Sequence, residues 1–124
     1  MKRLFKLARS KIGKYLIGWI FEHMSFIIPV KRLRETEHLM AFHHPKPSYP
    51  LHILLVPKKA IQNLTDLSNE NNDFLPEVFM TAQSLIDEFK LEVSGYRLIL
   101  NGGQYQDVPQ LHFHLISGNQ EKVD

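Results

Sequence analysis

Near the end of the chain, Gln110 to Gly118 reads QLHFHLISG, and its alternation is the strongest constraint on the fold. Successive side chains of a strand point to opposite faces, so His112 and His114 project together, away from Leu111, Phe113 and Leu115. Such a strand belongs in a sheet with one face packed on a core and the other left to polar side chains. Taken alone, the pattern also suits a half-exposed strand whose outer face happens to carry histidine.

The remaining segments supply the rest of a small α+β domain. LHILLVP, Leu51 to Pro57, has the aliphatic and β-branched content of a strand, and GYRLILN from Gly95 is another. Two short strands are expected at Lys31 to Glu35 and Glu37 to Phe42, turning around Thr36. HHPKPSYP is too proline-rich for helix or central strand. Asn72 or Asp73 can cap a helix that has Pro76 in its first turn and runs to about Lys90. Its expected apolar face is Leu75, Phe79, Ala82, Ile86 and Phe89. The sum is a mainly antiparallel sheet of about five strands with a central helix on one face.

At 124 residues, 44% hydrophobic and 23% charged, the chain has the size and composition of one globular domain. The absence of cysteine excludes a disulfide framework, a thiolate metal site and a thiol nucleophile, and suits a reducing, cytoplasmic setting. Net charge is only +2, yet Lys2, Arg3, Lys6, Arg9, Lys11 and Lys14 all precede the first acid. Phe5, Ala8, Ile12, Leu16, Trp19 and Ile20 recur at helical spacing, so residues 1–26 read as a basic amphipathic helix ahead of a domain over 27–124. That helix suits packing on the domain or contact with a membrane surface. Its longest apolar run, YLIGWIF, is too short to span a bilayer. Apart from this cluster nothing points to nucleic acid.

Five of the seven histidines fall in three places: His43 with His44, His52, and His112 with His114. Imidazole acts near neutral pH as base, nucleophile or ligand. If the strands carrying His52 and His112 pair, the rings converge.

Read together, these stretches resemble the histidine triad, or HIT, family of nucleotide hydrolases and transferases, most closely its phosphoramidate-cleaving branch. IPVKRLRETEHLMAFHHPKPSYPLHILLVPKKAI is similar to the family's run from Ile-Pro-x-Lys through Ala-Phe-His to a Pro-x-His strand and a Pro-Lys-Lys turn. GYRLILNGG resembles its Gly-Tyr-Arg-x-x-x-Asn strand, and QLHFHLISG its terminal His-x-His-x-His run, with Gln110 at the first triad position. The likeness extends from Ile28 to Gly118, nearly the whole domain.

The resemblance implies that His112 attacks the α-phosphorus of a nucleotide and forms a nucleotidyl-histidine that water cleaves. It implies that His114 bonds phosphate oxygens, that His52 supports the pair from behind, and that Asn101 contacts the phosphate region. Phe42 and His43 would wall the base pocket. His44 stands where the family holds the ribose with an acid or amide, Arg34 where it has a pocket aromatic, and Asp107 near its leaving-group serine. No metal or cofactor is required, and pairing into a homodimer is implied.

The residues themselves leave alternatives open. His43 and His44, beside prolines, also suit plain surface positions; Asn101 before two glycines also suits a turn. With Gln110 unable to carry a proton charge, a weakly active or inactive nucleotide- or phosphate-binding module is the alternative to an enzyme. A metal site built from His112, His114 and His52 is a third reading, without a carboxylate or cysteine at ligand spacing.

Overall fold

A computed structural model describes residues 31–120. The expected amphipathic helix over residues 1–26 therefore lies outside the described residues. Five strands make one antiparallel sheet: β1 (Arg34–Glu35), β2 (Leu39–His43), β3 (Leu51–Pro57), β4 (Arg97–Leu100) and β5 (Phe113–Ser117). Their order across the sheet is β1-β2-β3-β5-β4. Helix α1 (Leu75–Glu88) and the short α2 (Leu91–Ser94) connect β3 to β4, with 3-10 turns at Leu64–Asp66 and Gly103–Tyr105.

Alternation along the strands divides the sheet into two unlike faces. Leu39, Ala41, Ile53, Leu55, Phe113 and Leu115 pack with Val78, Ala82 and Leu85 of α1 into the main core. The other face carries a smaller apolar cluster of Met40, Phe42 and Val56, with Leu54 packed against it. Register then sets Phe42 opposite Leu54, Leu54 opposite His114, and His114 opposite Ile99. His114 of β5 thus stands on the sheet face away from α1.

The helix departs from its expected start, and from its expected face at Phe79 alone. Phe74, not Asn72 or Asp73, occupies the N-cap, and no side chain caps it. Phe74 is 1% exposed, so burial of its ring decides where the helix begins, and Asn72 contributes only its backbone carbonyl to the Leu75 amide. Val78, Thr81, Ala82 and Leu85 are the buried residues of the helix, and Leu75, Ile86 and Phe89 pack part-buried against the same core, so of the expected face only Phe79, 62% exposed, lies outside.

Strand ends also differ from expectation. The first two strands shorten to Arg34–Glu35 and Leu39–His43, and Glu77 of α1 takes up the His38 amide just before β2. The last strand starts at Phe113 rather than Gln110, because the Leu111 amide bonds Ile61, in the segment after β3. β5 closes against the start of β3: at Gly118, with φ +90, an added Cβ would lie 2.8 Å from Pro50 Cγ. Only glycine meets both conditions without strain.

Candidate functional site

Four histidines meet on the face away from α1. The ring centroids of His44 and His52 are 4.4 Å apart, those of His52 and His114 5.1 Å, and those of His114 and His112 4.9 Å. His52 comes from β3 and His114 from β5, brought side by side by the pairing of those strands. His44 lies just after β2, where its amide bonds the His52 carbonyl at 2.8 Å and so continues the β2–β3 ladder.

The hydrogen bonds assign each ring's proton. The Ser48 amide donates to His52 Nδ1 at 3.1 Å, so the proton of neutral His52 sits on Nε2. That Nε2 is 2.8 Å from His114 Nδ1, which must accept, and His114 therefore carries its own proton on Nε2. His112 Nδ1 lies 2.7 Å from the Gln110 carbonyl, a group that only accepts, so His112 donates there and keeps its Nε2 lone pair. The Lys46 amide donates to His44 Nδ1 at 2.9 Å and leaves that ring an Nε2–H.

Electrostatics hold the same states. Burial first, then the neighbouring rings of His112, His52 and His44, bring His114 down to about 3. Burial, followed by His44 and His112, brings His52 down to about 4. Burial and then His112 also lower His44. A charge in this row loses hydration and meets like charges, so at neutral pH the three rings stay uncharged.

A pocket of about 200 Å³ opens over these rings. His112, His114 and Asn101 line it on the β5–β4 side, and Phe42, His44, Leu54 and Val56 on the β2–β3 side. Asp107 and Gln110 line it from the segment that leads into β5. His52 supports His114 from behind. His43 does not reach this pocket; it stands on the opposite face, with its ring 6.2 Å from Phe89. Arg34 also points away, its guanidinium bonded to Ser84 and Glu88 of α1.

Gln110 does not fill the space in front of His112. Its side chain is 1% exposed, and Nε2 donates to the carbonyls of Lys59 at 2.9 Å and Pro57 at 3.3 Å. Its Oε1 is buried without a partner. Two amides of the loop before it, those of Tyr105 and Gln106, are spent on the Gly102 and Gly103 carbonyls. Among the described residues no group of three His, Cys, Asp or Glu side chains is placed to hold a metal ion.

A family profile for the HIT domain matches residues 26–121. The chain belongs to the HIT family. This HIT chain is 34% identical over 96 residues to an uncharacterised HIT-like protein of Buchnera aphidicola, covering 76% of this chain and 86% of the relative. Among solved structures, a histidine triad protein from Clostridium difficile superposes with a TM-score of 0.72 at 27% identity, covering 88% of this chain and 94% of that one. A HIT family hydrolase from Legionella pneumophila gives 0.71 at 29% identity, over 82% and 92%. A histidine triad nucleotide-binding protein from Candida albicans gives 0.65 at 26%, over 88% and 80%.

Several residues at the HIT pocket carried no individual signal in the sequence. Leu54 and Val56 were legible in principle, since they lie two and four residues beyond His52 and share its face. Ser48 and Lys46, which set the protons of His52 and His44, act through backbone amides that any residue but proline supplies. Tyr105 and Val108 enter from a loop with no periodic pattern.

Proposed function

We propose that this HIT chain hydrolyses, or transfers the nucleotidyl group of, nucleotide phosphoramidates or dinucleotide polyphosphates, with His112 as the covalent nucleophile. One observation carries the reading. His112 donates its Nδ1 proton to the Gln110 carbonyl, so the nitrogen with the free lone pair is Nε2, on a ring that lines the pocket. In the first step Nε2 bonds to the α-phosphorus as the phosphorus–nitrogen or phosphorus–oxygen bond to the leaving group breaks; that group departs with a solvent proton. In the second, water attacks the phosphorus, the bond to Nε2 breaks, and a nucleoside monophosphate leaves. His114, neutral with its proton on Nε2, offers a donor to the phosphate oxygens without a charge that must be shed.

The names of the Legionella and Candida proteins, a hydrolase and a nucleotide-binding protein, support the substrate class. The pocket supports it too, with the apolar walls Phe42, Leu54 and Val56 beside the imidazoles. The same reading takes the chain as a cytoplasmic homodimer. Pairing is supported by β4 at the open edge of the sheet and by exposed Phe79 and Met80 on α1.

The buried Gln110, in place of a titratable ring, favours a second reading: a nucleotide-binding module with weak or no turnover. Single-turnover labelling with a nucleotide radioactive at the α-phosphorus separates the two. Label retained on His112 and absent from His112→Ala supports the enzyme; saturable binding without adduct or product supports the module.

A further inference from the structure

A second pocket, of about 440 Å³, lies one row along the sheet from the histidines. Its place follows from register. His52 and Arg97 both stand opposite Ile116, so these residues share a face and form a row across β3, β5 and β4. His114, two residues back along β5, belongs to the neighbouring row on the same face, between Leu54 and Ile99. Arg97 lines the second pocket from β4, Ile116 from β5, and Tyr49 from the segment before β3. The two pockets share no lining residue.

Arg97 is the one charged side chain in this lining, which holds no carboxylate. Arg34 and Lys58, on other strands or just after them, are held by Glu88 and Glu35. The Arg97 guanidinium and the hydroxyls of Tyr49 and Tyr96 have no hydrogen-bond or ion-pair partner among the described residues. The walls around them are tied down. Ser117 Oγ donates to the Gly95 carbonyl at 2.6 Å, just ahead of Tyr96 and Arg97, and Pro50, next to Tyr49, closes on Gly118.

We propose that this pocket is a second ligand site, which takes a small oxyanion, a carboxylate or a phosphate group, on Arg97 with Tyr49 and Tyr96 as further donors. A guanidinium fork meets either group with two parallel hydrogen bonds, and a lining without acids sets no repulsion against it. The site is independent of the nucleotide reading and holds whatever the histidine pocket binds. Its occupant touches Tyr49, whose ring stands edge-on to His52 with centroids 5.5 Å apart, so the supporting histidine is in contact with the wall of the second site.

Nitrogen-15 shift titration of the full chain with inorganic phosphate and, separately, with acetate tests this, against sodium chloride at matched ionic strength. The Gly95, Ser117 and Gly118 amides should shift saturably with at least one of the two anions and not with chloride. The same shifts should persist in His112→Ala, which separates this pocket from binding at the histidines. Arg97→Gln, at an exposed position, should weaken the fitted affinity at least about tenfold, the scale of a hydrogen bond to a charged group, and Arg97→Lys should lose less. Tyr49→Phe should weaken it about threefold, the scale of a neutral hydrogen bond. The tighter of the two anions fixes the class as a phosphate ester or a carboxylate. Shifts that do not saturate, that chloride reproduces, or that survive Arg97→Gln unchanged mean an adventitious ion only and overturn the inference. Shifts that vanish in His112→Ala overturn it too.

Discussion

His52 Nε2 lies 2.8 Å from His114 Nδ1, while the Ser48 amide holds the other nitrogen of His52 at 3.1 Å. A backbone amide therefore decides which nitrogen of His114, two strands' pairing away, carries the proton offered to a phosphate. Replacing His52 by Ala should cost about 1–3 kcal/mol of stability, the usual penalty for a buried polar atom left unpaired. It should also free the His114 tautomer. Urea unfolding measures the first effect and nitrogen-15 shifts of the His114 ring the second; unchanged shifts would contradict the relay.

Acid should weaken the folded state before the carboxylates titrate. His52 and His114 are brought down to about 4 and about 3 from an ordinary 6.5. The unfolded chain thus binds protons that the native chain refuses, so the stability from these rings is whole above pH 6.5. It is lost as pH falls from 6.5 toward 4 and then 3. His38 works with opposite sign. Its hydrogen bond to Glu77 raises it, so its contribution is present below pH 6.5 and is lost as pH rises through that raised value. Glu35 and Glu77, both lowered from 4.5, stay ionised between pH 7 and pH 5. The urea midpoint should therefore fall between pH 7 and pH 5, more steeply in His38→Gln, and flatten in His52→Gln.

Gln110 should matter for stability more than for the nucleophile. Its side chain ties the segment before β5 to the carbonyls of Pro57 and Lys59, but His112 is held by the Gln110 backbone carbonyl, which substitution keeps. Gln110→Ala is expected to lose about 1–3 kcal/mol in chemical denaturation and to retain label transfer to His112. Loss of the adduct in a folded variant would show that the side chain takes part in the chemistry.

Gly118→Ala should destabilise the domain by at least about 1–2 kcal/mol, the cost of left-handed backbone for a residue with a Cβ. The approach to Pro50 Cγ at 2.8 Å adds to it. A melting temperature equal to that of the parent chain would show that the Pro50 loop gives way.

The helix shows where local pattern stops informing. Leu75, Phe79, Ala82, Ile86 and Phe89 make a regular stripe, and all but Phe79 reach the core, yet the residues buried most deeply are Val78, Thr81, Ala82 and Leu85. Phe74, ahead of the helix, is buried and Phe79 is left outside, a balance of long-range contacts that helical spacing does not contain. The two neighbouring histidines at the end of β2 make the same point. Alternation puts His43 and His44 on opposite faces, but which face becomes the pocket depends on where α1 packs.

By itself the sequence determined the strand alternation that sets His112 and His114 on one face, the family, and the candidacy of His112, His114 and His52. These are properties of residue type and spacing along one strand, and they persist wherever the strand goes. The tertiary structure decided the protons. Which nitrogen of each ring is free depends on amides and carbonyls at Ser48, Lys46 and Gln110 that close on the rings only after the strands pair. A backbone group leaves no mark in the sequence, and the burial that keeps the rings uncharged exists only once the sheet has formed.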